Sequence, residues 1–177
     1  RTYAEFAATF GIGINRTLIK TRFGQHFSRL FRSRTETDEA FERLCWRQLV
    51  DAVIGAPSNA DALFEALYDY YHAPSSWRVR PSTLDRLRDE IAAGNEVAIA
   101  SNFDSRLERI IAYHVPEVPA ERIFYSTRIG VRKPDPRFFR YIEAHTARLP
   151  EECTLIGDES EADILGAERA GWRAEKV

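Results

Sequence analysis

Between Asp38 and Gly55 the apolar side chains stand at Phe41, Leu44, Cys45, Leu49, Ala52 and Val53. Gaps of three and four put them on one side of an α-helix, which Gly55 and Pro57 stop. A second set, Leu63, Phe64, Leu67, Tyr68 and Tyr71, repeats the spacing, with Ser58 as candidate cap and Pro74 as stop. Residues 3–10 and 18–31 read as further helices with a looser pattern.

Near Trp77 the pattern changes. Ser82 opens a short amphipathic helix through Leu84, Leu87 and Ile91, closed by Gly94. The short apolar run Val97–Ala100 then ends in polar Ser101 and Asn102, which suits a strand buried on both faces of a parallel sheet. Ser105 and Glu108 predict a capping box ahead of a helix through Leu107, Ile110 and Ile111. Ile123–Tyr125 reads as a second strand, and Asp135 with Pro136 as the cap and first turn of a helix carrying Phe138, Phe139 and Ile142. Cys153–Ile156 is a third strand, followed by Gly157 and Asp158, a helix from about Glu159 to Gly171, and a last strand over 173–177. Alternating strands and helices predict an α/β fold, a doubly wound, Rossmann-like parallel sheet core with an inserted helical cap. The cap, with part of its lead-in from the core, is placed at residues 1–76 and the core at 77–177.

A chain of 177 residues has room for one globular domain carrying an insertion. Its 44% hydrophobic and 29% charged residues exclude a disordered or fibrous chain. Lys and Arg number 25 against 27 Asp and Glu, a balance that argues against a nucleic-acid partner. No apolar run approaches the ~20 residues that span a bilayer, and no signal peptide is visible, so no membrane partner is expected. Two cysteines argue against a disulfide framework and for a reducing, cytoplasmic setting. The chain lacks methionine and begins at Arg1, so it reads as a processed chain or a fragment.

In an open parallel sheet, ligands bind beyond the carboxyl ends of the strands. The residues there are Ser101 and Asn102, Lys133 after the second strand, and Asp158, Glu159 and Asp163 after the third. Hydroxyl and amide groups, one cation and several carboxylates are what a magnesium-dependent phosphate site requires. Mg²⁺ takes one or two carboxylates and completes its shell with water and phosphate oxygens. Lys133 can neutralise phosphate charge, and Ser101 can donate to a phosphate oxygen.

Ser-Asn-Phe-Asp-Ser-Arg-Leu-Glu (101–108), Gly-Val-Arg-Lys-Pro-Asp-Pro-Arg-Phe-Phe (130–139) and Gly-Asp-Glu-Ser-Glu-Ala-Asp (157–163) resemble motifs two, three and four of the haloacid dehalogenase-like (HAD) hydrolase superfamily. Within it the chain resembles the group around haloacid dehalogenase-like hydrolase domain-containing protein three. The likeness covers essentially the whole chain, residues 1–76 resembling the cap inserted after motif one. It implies a Mg²⁺-dependent phosphatase working through an aspartyl-phosphate intermediate on a small phosphorylated substrate. Ser101 and Asn102 would then bind the phosphoryl group and Lys133 would hold nucleophile and phosphate together. Asp158 would bind the metal, with Asp163 as second acidic partner and Glu159 as the weaker candidate.

The family's first motif, a strand ending in Asp-x-Asp that supplies nucleophile and general acid/base, has no counterpart in this chain. The resemblance places it upstream of Arg1, or on a separate chain. Two alternatives follow: a catalytically inactive HAD-fold interaction protein, and a metal-independent 2-haloacid dehalogenase, against which Asp158 and Asp163 argue. Elsewhere the plainer readings hold. Asp104 reads as a helix cap, and His26, His72, His114 and His145 are too dispersed to ligate a metal. Cys45 and Cys153 read as core thiols and Trp46 and Trp77 as packing residues. Lys20, Arg22, Arg29, Arg32 and Arg34 read as a solvated basic face. Gly11-Ile-Gly13 follows no strand and lacks a third glycine, so it is no nucleotide loop.

Overall fold

A computed structural model of the chain describes residues 2–32, 34–55 and 57–177. It divides into two compact units, Arg1–Arg34 with Ala40–Asp85, and Thr35–Glu39 with Arg86–Val177. The sequence placed the division at residue 77. In the structure it runs through the helix that follows, and the short segment Thr35–Glu39 belongs with the second unit.

The first unit is helical: α1 (Thr2–Thr9), α2 (Arg16–Phe31), α3 (Glu39–Ile54), α4 (Ala60–His72) and the start of α5 (Pro81–Ala92). Asn15 caps α2 by accepting the Leu18 N–H at 2.8 Å. Cys45, Leu49 and Val53 face the core as expected, but Leu44 is 53% exposed. The buried side of α3 turns instead toward Glu42, Val50 and Ile54, leaving Leu44 on the solvent flank. Ser58 is not the cap of α4. Asn59 holds that position, with its amide turned to the Phe10 carbonyl at 3.4 Å. Leu49, Leu63, Phe64 and Leu67 close the core, and each such side chain contributes about 1.5–3 kcal/mol. Trp46 packs on Phe27 and Phe31, and Trp77 on Tyr71, so both tryptophans are packing residues.

The second unit is α/β. It runs β1 (Ile99–Ser101), α6 (Arg106–His114), β2 (Ile123–Tyr125), α7 (Ser126–Ile129), α8 (Pro136–Thr146), β3 (Thr154–Gly157), a π-helical turn (Ser160–Leu165), α9 (Gly166–Arg169) and β4 (Arg173–Lys176). Strand β1 pairs in parallel with β2, Ile99 opposite Ile123 and Ser101 opposite Tyr125. Strand β3 pairs in parallel with β4, Thr154 opposite Arg173. Among the described residues no strand joins the two pairs.

Several local expectations need correcting. Strand β2 is buried throughout, but β1 is only half-buried, not covered on both faces. Among the described residues it has a ladder partner on one edge alone. Helix α5 starts at Pro81, not Ser82. The capping box of Ser105 and Glu108 does not form. Glu39 takes the Ser105 N–H at 2.9 Å and its hydroxyl at 3.1 Å, while Glu108 accepts the Tyr125 phenol at 2.8 Å. The helix expected after Glu159 is a π-helical turn running into the single turn of α9.

Phe138 and Phe139 on α8 lie at the core, against Phe124, Leu155 and Trp172. Asp135 caps α8 by accepting the Arg137 N–H at 2.9 Å, and Pro136 occupies the first turn. Thr35–Glu39 is laid against the loop before α8. Glu36 bridges Val131 antiparallel, Thr37 N–H donates to Gly130 at 3.0 Å and Arg132 N–H to Thr35 at 2.8 Å.

Candidate active site

Three chain segments converge at the carboxyl ends of β1 and β3. Strand β1 delivers Ser101 and Asn102. The loop between α7 and α8 delivers Lys133, which precedes a cis peptide bond to Pro134. The π-helical turn after β3 delivers Asp163.

Lys133 is buried, and its charge is answered locally. The ammonium donates to the Asp163 carboxylate (Oδ1) at 2.6 Å and to the Ala100 carbonyl at 2.8 Å. The other Asp163 oxygen accepts the Glu159 N–H at 3.1 Å. A buried charge needs such pairing, because breaking one side leaves the other desolvated at a cost of roughly 3–5 kcal/mol. The pair also fixes the need for glycine at 157. A Cβ added there would collide with Asp163, lying 2.6 Å from its Cγ. Gly166 is tight without such a collision, since a Cβ would meet Pro134 at 3.0 Å and Phe139 at 3.1 Å.

Ser101 is half-buried, and its hydroxyl makes no hydrogen bond to the described residues. Asp158 is exposed and its carboxylate likewise meets no partner among them. Glu159 is exposed, its main chain held by Asp163. Asn102 spends its side chain on Lys133: the amide nitrogen donates to the Lys133 carbonyl at 3.0 Å, and the amide oxygen accepts the Lys133 N–H at 2.8 Å.

The structure therefore joins Asn102, Lys133 and Asp163 through direct hydrogen bonds, whereas the Asp158 carboxylate meets none of them. Among the described residues no three His, Cys, Asp or Glu side chains converge as a metal cluster. One free carboxylate on a strand end still fits a hard ion that relies on water and phosphate for most of its shell.

Asp104 does cap, accepting the Arg106 N–H at 3.2 Å, but it also forms a buried ion pair with the Arg106 guanidinium at 2.5 Å. One contributor to the site and one long-range contact outside it escaped the sequence. The Ala100 carbonyl is a main-chain group with no residue signature. Glu39 receives Ser105 and the Thr127 hydroxyl from far along the chain. Burial and the neighbouring Glu108 carboxylate push the Tyr125 phenol up to about 12, so it stays protonated at neutral pH. Burial likewise raises the Cys153 thiol, in keeping with an inert role.

Comparison with known proteins adds the following. The family described as HAD-hydrolase-like matches residues 130–177, the stretch holding Lys133, Asp158 and Asp163. Haloacid dehalogenase-like hydrolase domain-containing protein 3 of Bos taurus is 28% identical over 97% of this chain and 72% of its own length. The human protein of that name is 26% identical over the same shares. A phosphoserine phosphatase of Thermus thermophilus is 28% identical over 76% of this chain and 53% of its own length. Among solved structures, a HAD-hydrolase of Bacillus subtilis bound to magnesium superposes with a TM-score of 0.70 at 19% identity, covering 96% of this chain and 76% of that one. A HAD phosphatase of Thermococcus onnurineus gives 0.60 at 18% identity, over 99% of this chain and 74% of its own.

Proposed function

The chain belongs to the HAD-like hydrolase superfamily, and on that premise we propose that it works as a magnesium-dependent phosphatase of a small phosphorylated molecule. The observation that carries this reading is the Lys133 ammonium, buried at the end of β1 between the Ala100 carbonyl and Asp163. A fixed cation beside a hydroxyl without a partner and an exposed carboxylate is the electrostatic frame that phosphoryl transfer uses.

In this reading Ser101 donates to a phosphoryl oxygen and Lys133 offsets the charge that spreads over the transferring group. Asp158 would hold the Mg²⁺. Asp163, whose oxygens already serve Lys133 and the Glu159 N–H, supports the metal side of the site from behind. When bound, the ion supplies Lewis-acid stabilisation of the phosphoryl oxygens. The reading needs an attacking carboxylate that residues 1–177 do not supply, since they hold no Asp-x-Asp, and we place it on a further strand. Its oxygen bonds to phosphorus as the bond to the leaving alcohol breaks, and that alcohol takes a proton from the second carboxyl of the same strand. Water then attacks the phosphorus of the aspartyl phosphate and gives its proton back to that carboxylate. Inorganic phosphate and the free aspartate result. A cytoplasmic setting accords with two free thiols, and among the described residues no helix is long and apolar enough to cross a membrane.

The test is phosphate release by the full-length protein from a broad panel of phosphate monoesters, with and without Mg²⁺. Magnesium-dependent release, lost in Asp158→Asn, is the expected result. No release from any ester, or halide release from 2-haloacids without metal, overturns the proposal.

A further inference from the structure

Asn102 sits where a phosphate ligand is expected, yet both ends of its amide are committed elsewhere. The Lys133 main chain offers a donor and an acceptor side by side, and Asn102 matches them with an acceptor at 2.8 Å and a donor at 3.0 Å. The polarity of that main chain fixes which end of the amide points where. The side chain thereby acts as a one-residue strand partner for Lys133.

Lys133 is thus tied to the end of β1 twice. Its main chain is held by Asn102 and its ammonium by the Ala100 carbonyl, two residues earlier. With the main chain held there, the ammonium reaches Asp163 at 2.6 Å. An asparagine suits the position on chemical grounds. Aspartate offers no donor at neutral pH, serine offers a single group, and glutamine is longer by a methylene.

We propose that Asn102 is a positioning residue, not a phosphate ligand: its amide clamps the Lys133 main chain and so sets the ammonium between Ala100 and Asp163. The consequence for rate rests on the phosphatase reading above, but the clamp itself does not.

The experiment uses the full-length protein and an amine-acylating reagent, acetic anhydride, with labelling read by mass spectrometry. Lys20 and Lys176, both exposed, serve as internal references for buried Lys133. Asn102→Ala should raise Lys133 labelling relative to both by about tenfold, the size of effect expected from a lost pair of hydrogen bonds. Asn102→Asp, which keeps the shape and only the acceptor, should give a smaller rise, and it stands in should the alanine variant not fold. A second readout separates positioning from general structural damage. If Asn102 acts through Lys133, adding Asn102→Ala to Lys133→Ala should cost no further phosphate release. Unchanged Lys133 labelling in both single variants overturns the clamp. So do losses of activity that multiply in the double variant. If the wild-type protein releases no phosphate at all, the phosphatase reading fails, and the labelling alone decides the clamp.

Discussion

In the first unit Leu49, Val53 and Leu63 are wholly buried, whereas in the second Ile99, Ala100 and Ser101 of β1 stay half-buried at the end of an apolar run. Both stretches are apolar enough to sit inside. The difference lies in how backbone groups are satisfied. A helix pairs its own N–H and C=O groups, so a set of helices needs only to bring apolar faces together. A strand must borrow its partners, and β1 and β3 each have one strand neighbour among the described residues. Strand β2 is also paired on one edge among the described residues, so what sets β1 apart from it is lesser burial, not fewer partners. Helix α5, which the division between the units crosses, is thinly covered too: Leu84 and Leu87 are half-buried and Ile91 is 38% exposed.

The largest effect should come from the point where the open sheet is held by charge. Lys133→Ala in the full-length protein should lower the rate of phosphate release by about a hundredfold to a thousandfold, the range seen when a positioned transition-state donor is removed. It also strands Asp163, which is 7% exposed, so a lower midpoint of unfolding should accompany the kinetic loss. A loss below tenfold would mean that the cation is structural only.

Next come the two cores. Phe139→Ala empties a ring packed on Phe138 and Trp172 and should cost about 3–5 kcal/mol; Leu49→Ala in the helical unit should cost about 2–5 kcal/mol. The contrast between the units is sharpened by amide exchange. Phe139→Ala should speed exchange in β2 and β3 and leave α3 and α4 protected, and Leu49→Ala should do the reverse. Loss of protection throughout in both variants would break the distinction.

How much of this was legible in the sequence depends on how far apart the partners lie. The strand-end residues could be read locally, since Val97–Ala100 and Cys153–Ile156 announce their own ends within one residue or so. Lys133 and Asp163 each stand in a short patterned stretch that singles them out, and the structure brings the two side chains together. The job of Asn102 was not legible, since an amide aimed at a main chain 31 residues away leaves no pattern. Nor was the hold of Glu39 on Ser105, 66 residues apart, and that same contact is what defeats the expected capping box. The exposure of Leu44 and the burial of Glu42 show the remaining limit. Periodicity gives the existence of a buried face, while neighbouring helices decide where its centre lies.

The smallest effect should come from the surface of the sheet unit. Arg122 and Arg148 hydrogen-bond Glu96 and hold its carboxyl down at about 2. A carboxyl depressed on folding stabilises above its unfolded value, and the contribution fades as pH falls from that value toward about 2. Glu96→Gln should therefore lower the melting temperature slightly at neutral pH, with the gap to wild type closing on acidification. A gap that widens in acid would contradict the pairing. The group is exposed, so salt should shrink the gap as well.

The most direct measurement is the coding sequence upstream of the Arg1 codon. The expected result is an apolar run ending in Asp-x-Asp, the strand that completes β1 and brings the nucleophile to Lys133. A reading frame that opens beside Arg1 with no such run would contradict it, and the chain could not then carry out the proposed reaction by itself.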